Sequence, residues 1–232
     1  GQCYGLRKFL LYYGFTWVAC FTINYLVSKS CSSKKIKMIN TNLILNVYKN
    51  RSLKSALSTQ LLYGEKFKII KKFGKFIKIK TTYDNYLGYI KKKKFKKKFN
   101  PTHKISSLSA NLYSKPNKKF ILNKKIPFCS FIKIKNKKNN FFNFDRYWIN
   151  KENVVPIKKT SLLFSKIKIF KNIRYKWGGN SYKGIDCSAL VQIFYKFNNK
   201  FCPRDSKDQM KYFRKNVKLN KVKKNNLIFW KG

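Results

Sequence analysis

Between Met38 and Phe99 apolar and polar positions alternate in short runs, LILNVY (43–48), KFKIIKKF (66–73), KFIKIKTTY (75–83) and YLGYIKK (86–92), with Gly64, Gly74, Asp84-Asn85 and Gly88 as punctuation. A period of two broken by turn residues predicts half-buried antiparallel strands, here a small β-barrel over residues 38–99. A second set follows Asn100-Pro101: SANLYS (109–114), FILNKKI (120–126), SFIKIKN (130–136) and DRYWINKENVV (145–155), predicting another barrel over residues 100–158. After Pro156 the period changes. Ser188–Phe197 carries Leu190, Val191, Phe194 and Phe197 on one helical face. Ser161–Phe170 is read as a helix, Ser206 with Gln209 as a capping box opening another, and Leu227–Trp230 as a buried strand. Ahead of the barrels, Phe9–Val27 is a mostly apolar stretch behind Arg7-Lys8, long enough for a signal anchor. The alternative is that residues 1–37 are an upstream extension and Met38 is the start. The first reading makes the chain membrane-anchored or exported, and the second makes it cytoplasmic.

The 232 residues are 44% hydrophobic and 17% aromatic, enough for packed cores. With 55 Lys and Arg against 7 Asp and Glu, the net charge is +48, which predicts salt-sensitive attraction to polyanions. The densest block is Lys91–Phe99, where Lys91, Lys92, Lys93, Lys94, Lys96, Lys97 and Lys98 form either a solvated linker or a contact for anionic polymer. Heavy use of Lys, Asn, Ile, Phe and Tyr, as an AT-rich genome produces, explains much of the charge without a nucleic-acid role. The six cysteines form no C-x-x-C pair and no zinc-ligand cluster, so neither a metal nor a cofactor is called for.

The chemistry concentrates at Cys187. A cysteine in the first turn of a helix faces free backbone amides and the positive dipole end, which favours thiolate over thiol. Asp186 suits the N-cap, and Trp177-Gly178-Gly179 supplies a tight turn that brings backbone near the sulfur. The same amides suit an oxyanion. A buried, inert helix cysteine is the competing reading on these grounds.

The motif Tyr175-x-Trp177-Gly178-Gly179-x-Ser181-x-x-Gly184-x-Asp186-Cys187-Ser188-x-Leu190-Val191, followed by Pro203-Arg204-Asp205-Ser206-x-x-Gln209, resembles the N-terminal half of an NlpC-type papain-like cysteine peptidase domain over residues 159–232. The upstream modules resemble the bacterial SH3-type domains carried by γ-D-glutamyl-L-diamino-acid endopeptidases of that family. The resemblance implies an α+β chain in which one or two small SH3-type β-barrels precede the peptidase half. It also implies a nucleophile, Cys187, that attacks γ-D-glutamyl to diamino-acid bonds of peptidoglycan stem peptides. Tyr175, Asp186, Ser188, Arg204, Asp205 and Ser206 become the substrate-binding residues: Asp186 helps hold a free amine, Arg204 pairs the D-Glu α-carboxylate, and the Arg-Asp-Ser block lines the groove. A helix-start ion pair is the plainer reading of Arg204 and Asp205, and capping that of Ser206.

Ala189 stands where the family commonly has glycine. The family's histidine and third polar residue follow a strand such as Leu227–Trp230, and Gly232 ends the sequence, so the expectation is a C-terminally truncated, inactive copy. His103, the single histidine, is read as a surface imidazole in the inter-module linker. The alternative function is a non-catalytic basic protein binding wall or nucleic acid through its SH3-type pair. Asp84, before Tyr86, makes a hairpin turn or, alternatively, a second anchor for the amine.

Overall fold

The structure, a computed structural model, describes residues 37–96, 100–213 and 217–230. The apolar stretch 9–27 and Lys97, Lys98 and Phe99 lie outside them. The first module is one antiparallel sheet of β1 (Lys37–Ile39), β2 (Ile44–Tyr48), β3 (Leu57–Leu62), β4 (Lys66–Phe73), β5 (Phe76–Thr81) and β6 (Leu87–Lys91). Its order is β1-β4-β5-β6-β2-β3. The alternation KFKIIKKF forms β4 over its full length, and FIKIKT in β5 buries every second residue. The sheet curls without a closing ladder: the Asn40 amide, after β1, donates to the carbonyls of Leu61 and Leu62 on the opposite edge strand, at 2.9 and 3.0 Å. Curling encloses Leu45, Val47, Leu61, Phe67, Ile77, Ile79 and Ile90.

The second module uses β7 (His103–Ile105), β8 (Ser109–Tyr113), β9 (Ile121–Pro127), β10 (Phe131–Ile132), β11 (Asn136–Lys138), β12 (Phe141–Phe144), β13 (Tyr147–Asn150) and β14 (Val154–Pro156). They form two sheets, β10-β7-β14 and β11-β12-β13-β8-β9. His103 is therefore in a strand, not a linker: its ring packs on Phe142 with centroids 5.7 Å apart, and Nδ1 lies 2.8 Å from the Thr102 hydroxyl. Burial, and then the charge of Lys137, lowers its pKa. The modules touch at Gly64, where φ is +84° and an added Cβ would lie 2.1 Å from the Phe131 carbonyl oxygen.

The last part holds a short hairpin, β15 (Asn180–Ser181) with β16 (Gly184–Ile185), and two helices, α1 (Cys187–Phe197) and α2 (Ser206–Tyr212). Helix α1 packs against residues of both modules: Ala189, Ile193, Phe194 and Phe197 join Leu62, Phe128 and Cys129 in one core, with Phe128 and Phe197 stacked at 4.7 Å. Each buried aromatic or aliphatic side chain is worth about 1.5–3 kcal/mol. The buried face is rotated from the predicted one. Leu190 and Val191 are half-buried, while Gln192 and Lys196 are buried because Asp84 and Glu65 receive their hydrogen bonds. Asn198 caps the helix and Asn199 continues at φ +57°.

Three expected elements differ. Residues 161–170 form turns and a 3-10 helix at Ile167–Phe170, because their apolar positions lack a sustained helical period. Asp205, not Ser206, occupies the N-cap position of helix α2, and its side chain makes no capping hydrogen bond; Gln209 donates instead to the Ser188 and Pro203 carbonyls, both at 2.9 Å, so no capping box forms. Leu227–Trp230 is coil without a ladder partner among the described residues, and Trp230 is 82% exposed.

Candidate active site

Cys187 opens α1 and is exposed, whereas Cys129 and Cys202 are buried. Burial pushes both of those thiols up to about 12, so neither is a thiolate near neutrality. Asp186 caps the helix: its Oδ1 accepts from Ala189 N at 2.7 Å and from the Ser188 hydroxyl at 3.1 Å. Its Oδ2 accepts from Gly178 N at 2.9 Å, tying the glycine turn to the helix start. Gly178 has φ +68°, and a Cβ there would lie 2.4 Å from the Leu57 carbonyl oxygen of β3, so the turn needs glycine both for conformation and for space.

Arg204 completes the cap. Its guanidinium is a fork on Asp186, Nη1 to Oδ1 at 3.0 Å and Nη2 to Oδ2 at 2.6 Å, with side chains only 2% and 9% exposed. Nη1 also donates to the Ser188 hydroxyl at 2.9 Å and Nε to the Thr59 hydroxyl at 2.8 Å. The Asp186 carboxylate thus accepts five hydrogen bonds and the Arg204 guanidinium donates four. Arg204 pairs Asp186, not Asp205.

Asp205 accepts instead from the Tyr86 phenol of the first module, at 3.3 Å. Burial raises the Asp205 carboxyl, opposed by the neighbouring Arg204 charge and the Tyr86 hydrogen bond. The Tyr86 phenol is pushed up to about 12 by burial and then by Asp205. Ser206 is exposed at the start of α2. Tyr175 is exposed, bridges Ile185 beside the helix start, and has its phenol raised by desolvation and then by the charges of Cys187 and Asp186.

Asp84 makes the turn: Oδ1 pairs with the Thr81 hydroxyl and accepts from Tyr86 N, while Oδ2 accepts from Gln192 on α1 at 2.8 Å. Sequence reasoning missed Thr59 and Gln60. Gln60 Oε1 accepts from Asn180 N at 2.9 Å and from the Ser181 hydroxyl at 3.3 Å. The partners of Gln60 lie 120 and 121 positions away and that of Thr59, Arg204, 145, and no local pattern marks such a pairing.

Residues 172–232 match the model of the NlpC/P60 family, and residues 47–95 that of the bacterial dipeptidyl-peptidase SH3 domain. The chain is 27% identical over 196 residues to a gamma-D-glutamyl-L-lysine dipeptidyl-peptidase of Bacillus subtilis (strain 168), covering 76% of this chain and 64% of that protein. It is 27% identical over 203 residues to a protein of the same name in Bacillus cereus (strain ATCC 10987 / NRS 248), covering 75% of this chain and 60% of that protein. The chain therefore spans less than two thirds of these relatives. The crystal structure of an NlpC/P60 family protein from Bacillus cereus ATCC 10987 superposes with a TM-score of 0.64 at 18% identity, over 83% of this chain and 80% of that one, showing a shared fold.

Proposed function

With residues 172–232 an NlpC/P60 domain behind a bacterial dipeptidyl-peptidase SH3 domain, we propose that this protein is a cysteine peptidase of peptidoglycan stem peptides, directed at the γ-D-glutamyl to diamino-acid bond. The observation that carries the reading is the exposed Cys187 thiol at the start of a helix whose first turn is capped by an internally paired carboxylate. The sulfur attacks the scissile carbonyl carbon, and the new oxyanion is met by first-turn amides. Ala189 N is already spent on Asp186 and Leu190 N on the Asp186 carbonyl, so the amides of Cys187 and Ser188 serve it.

Asp186 and Arg204 fill one another's hydrogen-bonding capacity, so they support the nucleophile rather than grip the substrate. The amine of a free N-terminus fits Asp205, held at the site by Tyr86, and Tyr175 lies beside the sulfur. His103 packs on Phe142 and lies beside the Thr102 hydroxyl, and among the described residues none of these contacts is with the cysteine site, so it is not the general base this reading calls for.

Protection of the thiol tests this. The dipeptide L-Ala-γ-D-Glu is expected to slow carboxamidomethylation of Cys187 by iodoacetamide, and its N-acetylated form to do so far less. Equal alkylation with and without dipeptide would sink the reading. Cys129 and Cys202 are the internal controls and should label only on unfolding.

Lys91, Lys92 and Lys94 are exposed, and Arg51 stands 4.8 Å over the Phe73 ring on the same module, so anionic wall polymer is the proposed second contact. Lys96 is committed to Asp145 at 2.8 Å, a half-exposed pair of small worth. Retention on purified sacculi should fall steeply as salt rises. Salt-insensitive retention, or retention on DNA alone, would favour the non-catalytic nucleic-acid reading instead.

A further inference from the structure

Strand β3 is the outer strand of the first sheet, and an outer strand presents backbone and side-chain groups that need a cover. Here the cover is the catalytic turn itself. Gly178 rests on the Leu57 carbonyl, Asn180 and Ser181 bond to Gln60, and Arg204 bonds to Thr59. All of the polar partners are buried: Thr59 and Gln60 are 4% exposed, Asn180 and Ser181 1%, and Arg204 3%. Gln60 is oriented in turn by its Nε2, which donates to Asn46 Oδ1 of β2 at 2.9 Å.

We propose that Thr59 and Gln60 are positioning residues of the cysteine site. Thr59 acts through Arg204: it takes the Nε donor that would otherwise be buried without a partner, leaving both terminal nitrogens aimed at Asp186. Gln60 acts through Asn180 and Ser181, pinning the hairpin that joins Gly178 to Asp186. The first module thereby sets the orientation in which Cys187 is presented, and the site is incomplete without β3. This deepens the cysteine-peptidase reading and rests on it for the substrate, although the geometry of the turn does not.

The test compares the full chain with Thr59→Val, Thr59→Ser, Gln60→Leu and Asn46→Ala. The measurements are the Cys187 alkylation rate, dipeptide protection, amide exchange at residues 178–181 and the thermal midpoint. Valine and leucine keep volume and remove the acceptor, and serine restores that of Thr59; leucine also removes the Nε2 donor to Asn46, a loss that Asn46→Ala reproduces while keeping the Gln60 acceptor. The valine and leucine variants are expected to weaken dipeptide protection and to change the Cys187 alkylation rate by about tenfold each, the worth of a buried hydrogen bond to a charged or backbone donor. Amide exchange at 178–181 should rise with them, Thr59→Ser should recover most of the effect, and Asn46→Ala should change the readings far less than Gln60→Leu.

A lowered thermal midpoint with unchanged alkylation and exchange overturns the proposal, as does failure of the serine variant to rescue or an Asn46→Ala effect equal to that of Gln60→Leu. If Thr59→Val does not fold, Gln60→Leu set against Asn46→Ala decides the matter, because the two differ in the acceptor that bonds the hairpin. If wild type is not protected by dipeptide, the substrate reading fails; altered alkylation and exchange in the variants still uphold the positioning roles.

Discussion

Arg204→Ala is expected to lower the unfolding free energy by about 3–5 kcal/mol, the cost of removing one partner of a buried ion pair. The guanidinium and the Asp186 carboxylate are both nearly inaccessible, and the pair is a two-point fork rather than a single contact. Deleting the cation leaves a carboxylate that still receives Gly178, Ala189 and Ser188 but has lost its counter-charge. Arg204→Lys should recover little, since one ammonium cannot reach both Asp186 oxygens, Ser188 and Thr59 in a plane. Urea denaturation reads the result as a drop in midpoint at constant slope. A loss below about 1 kcal/mol, the range of surface pairs, would mean that water reaches the carboxylate and that the cap is not sealed.

The Glu65–Lys196 pair should give the second large effect. Nζ and Oε1 are 2.5 Å apart with side chains 7% and 6% exposed, Glu65 Oε2 accepts from Leu62 N at 2.6 Å, and the ammonium lies 4.7 Å over the Tyr83 ring. Burial disfavours the Lys196 ammonium, but the charges of Glu65 and Asp84 outweigh it, and the pKa is raised. A cation with a folded pKa above its unfolded value of about 10.4 contributes stability that is complete below that pH and is lost as pH rises through the folded value. Wild type should therefore lose stability in the alkaline range by an increment that Lys196→Met lacks. At neutral pH Lys196→Met strands the carboxylate and should cost about 3–5 kcal/mol, part of which Glu65→Gln in the same chain restores. Thermal midpoints at neutral pH and above the unfolded lysine value check both statements. An identical alkaline slope in wild type and Lys196→Met would refute the assignment.

These two pairs mark the boundary between what is local and what is not. KFKIIKKF in β4 and FIKIKT in β5 were legible as strands because a sheet with one buried face imposes a period of two on its residues. Cys187 behind an Asp186 cap was legible because an N-cap and a first turn are adjacent in the chain. Strand β3, LSTQLL, was not legible: covered along its edge by the glycine turn before Cys187, it buries four consecutive residues and shows no alternation. The converse errors, a helix over 161–170 and a strand at 227–230, came from apolar runs whose partners are not set by the run itself.

By itself the sequence determined the strand-rich modules, the amphipathic helix and the place of Cys187 at its start, because periodicity, turn residues and capping act over a few residues. Only the tertiary structure decided that Arg204 spends its charge on Asp186, that Asp84 and Glu65 bond Gln192 and Lys196 of α1, and that Thr59 and Gln60 hold the turn. Those contacts join residues 18 to 145 positions apart. A buried polar group must find a partner wherever packing places one, and sequence spacing does not constrain that choice.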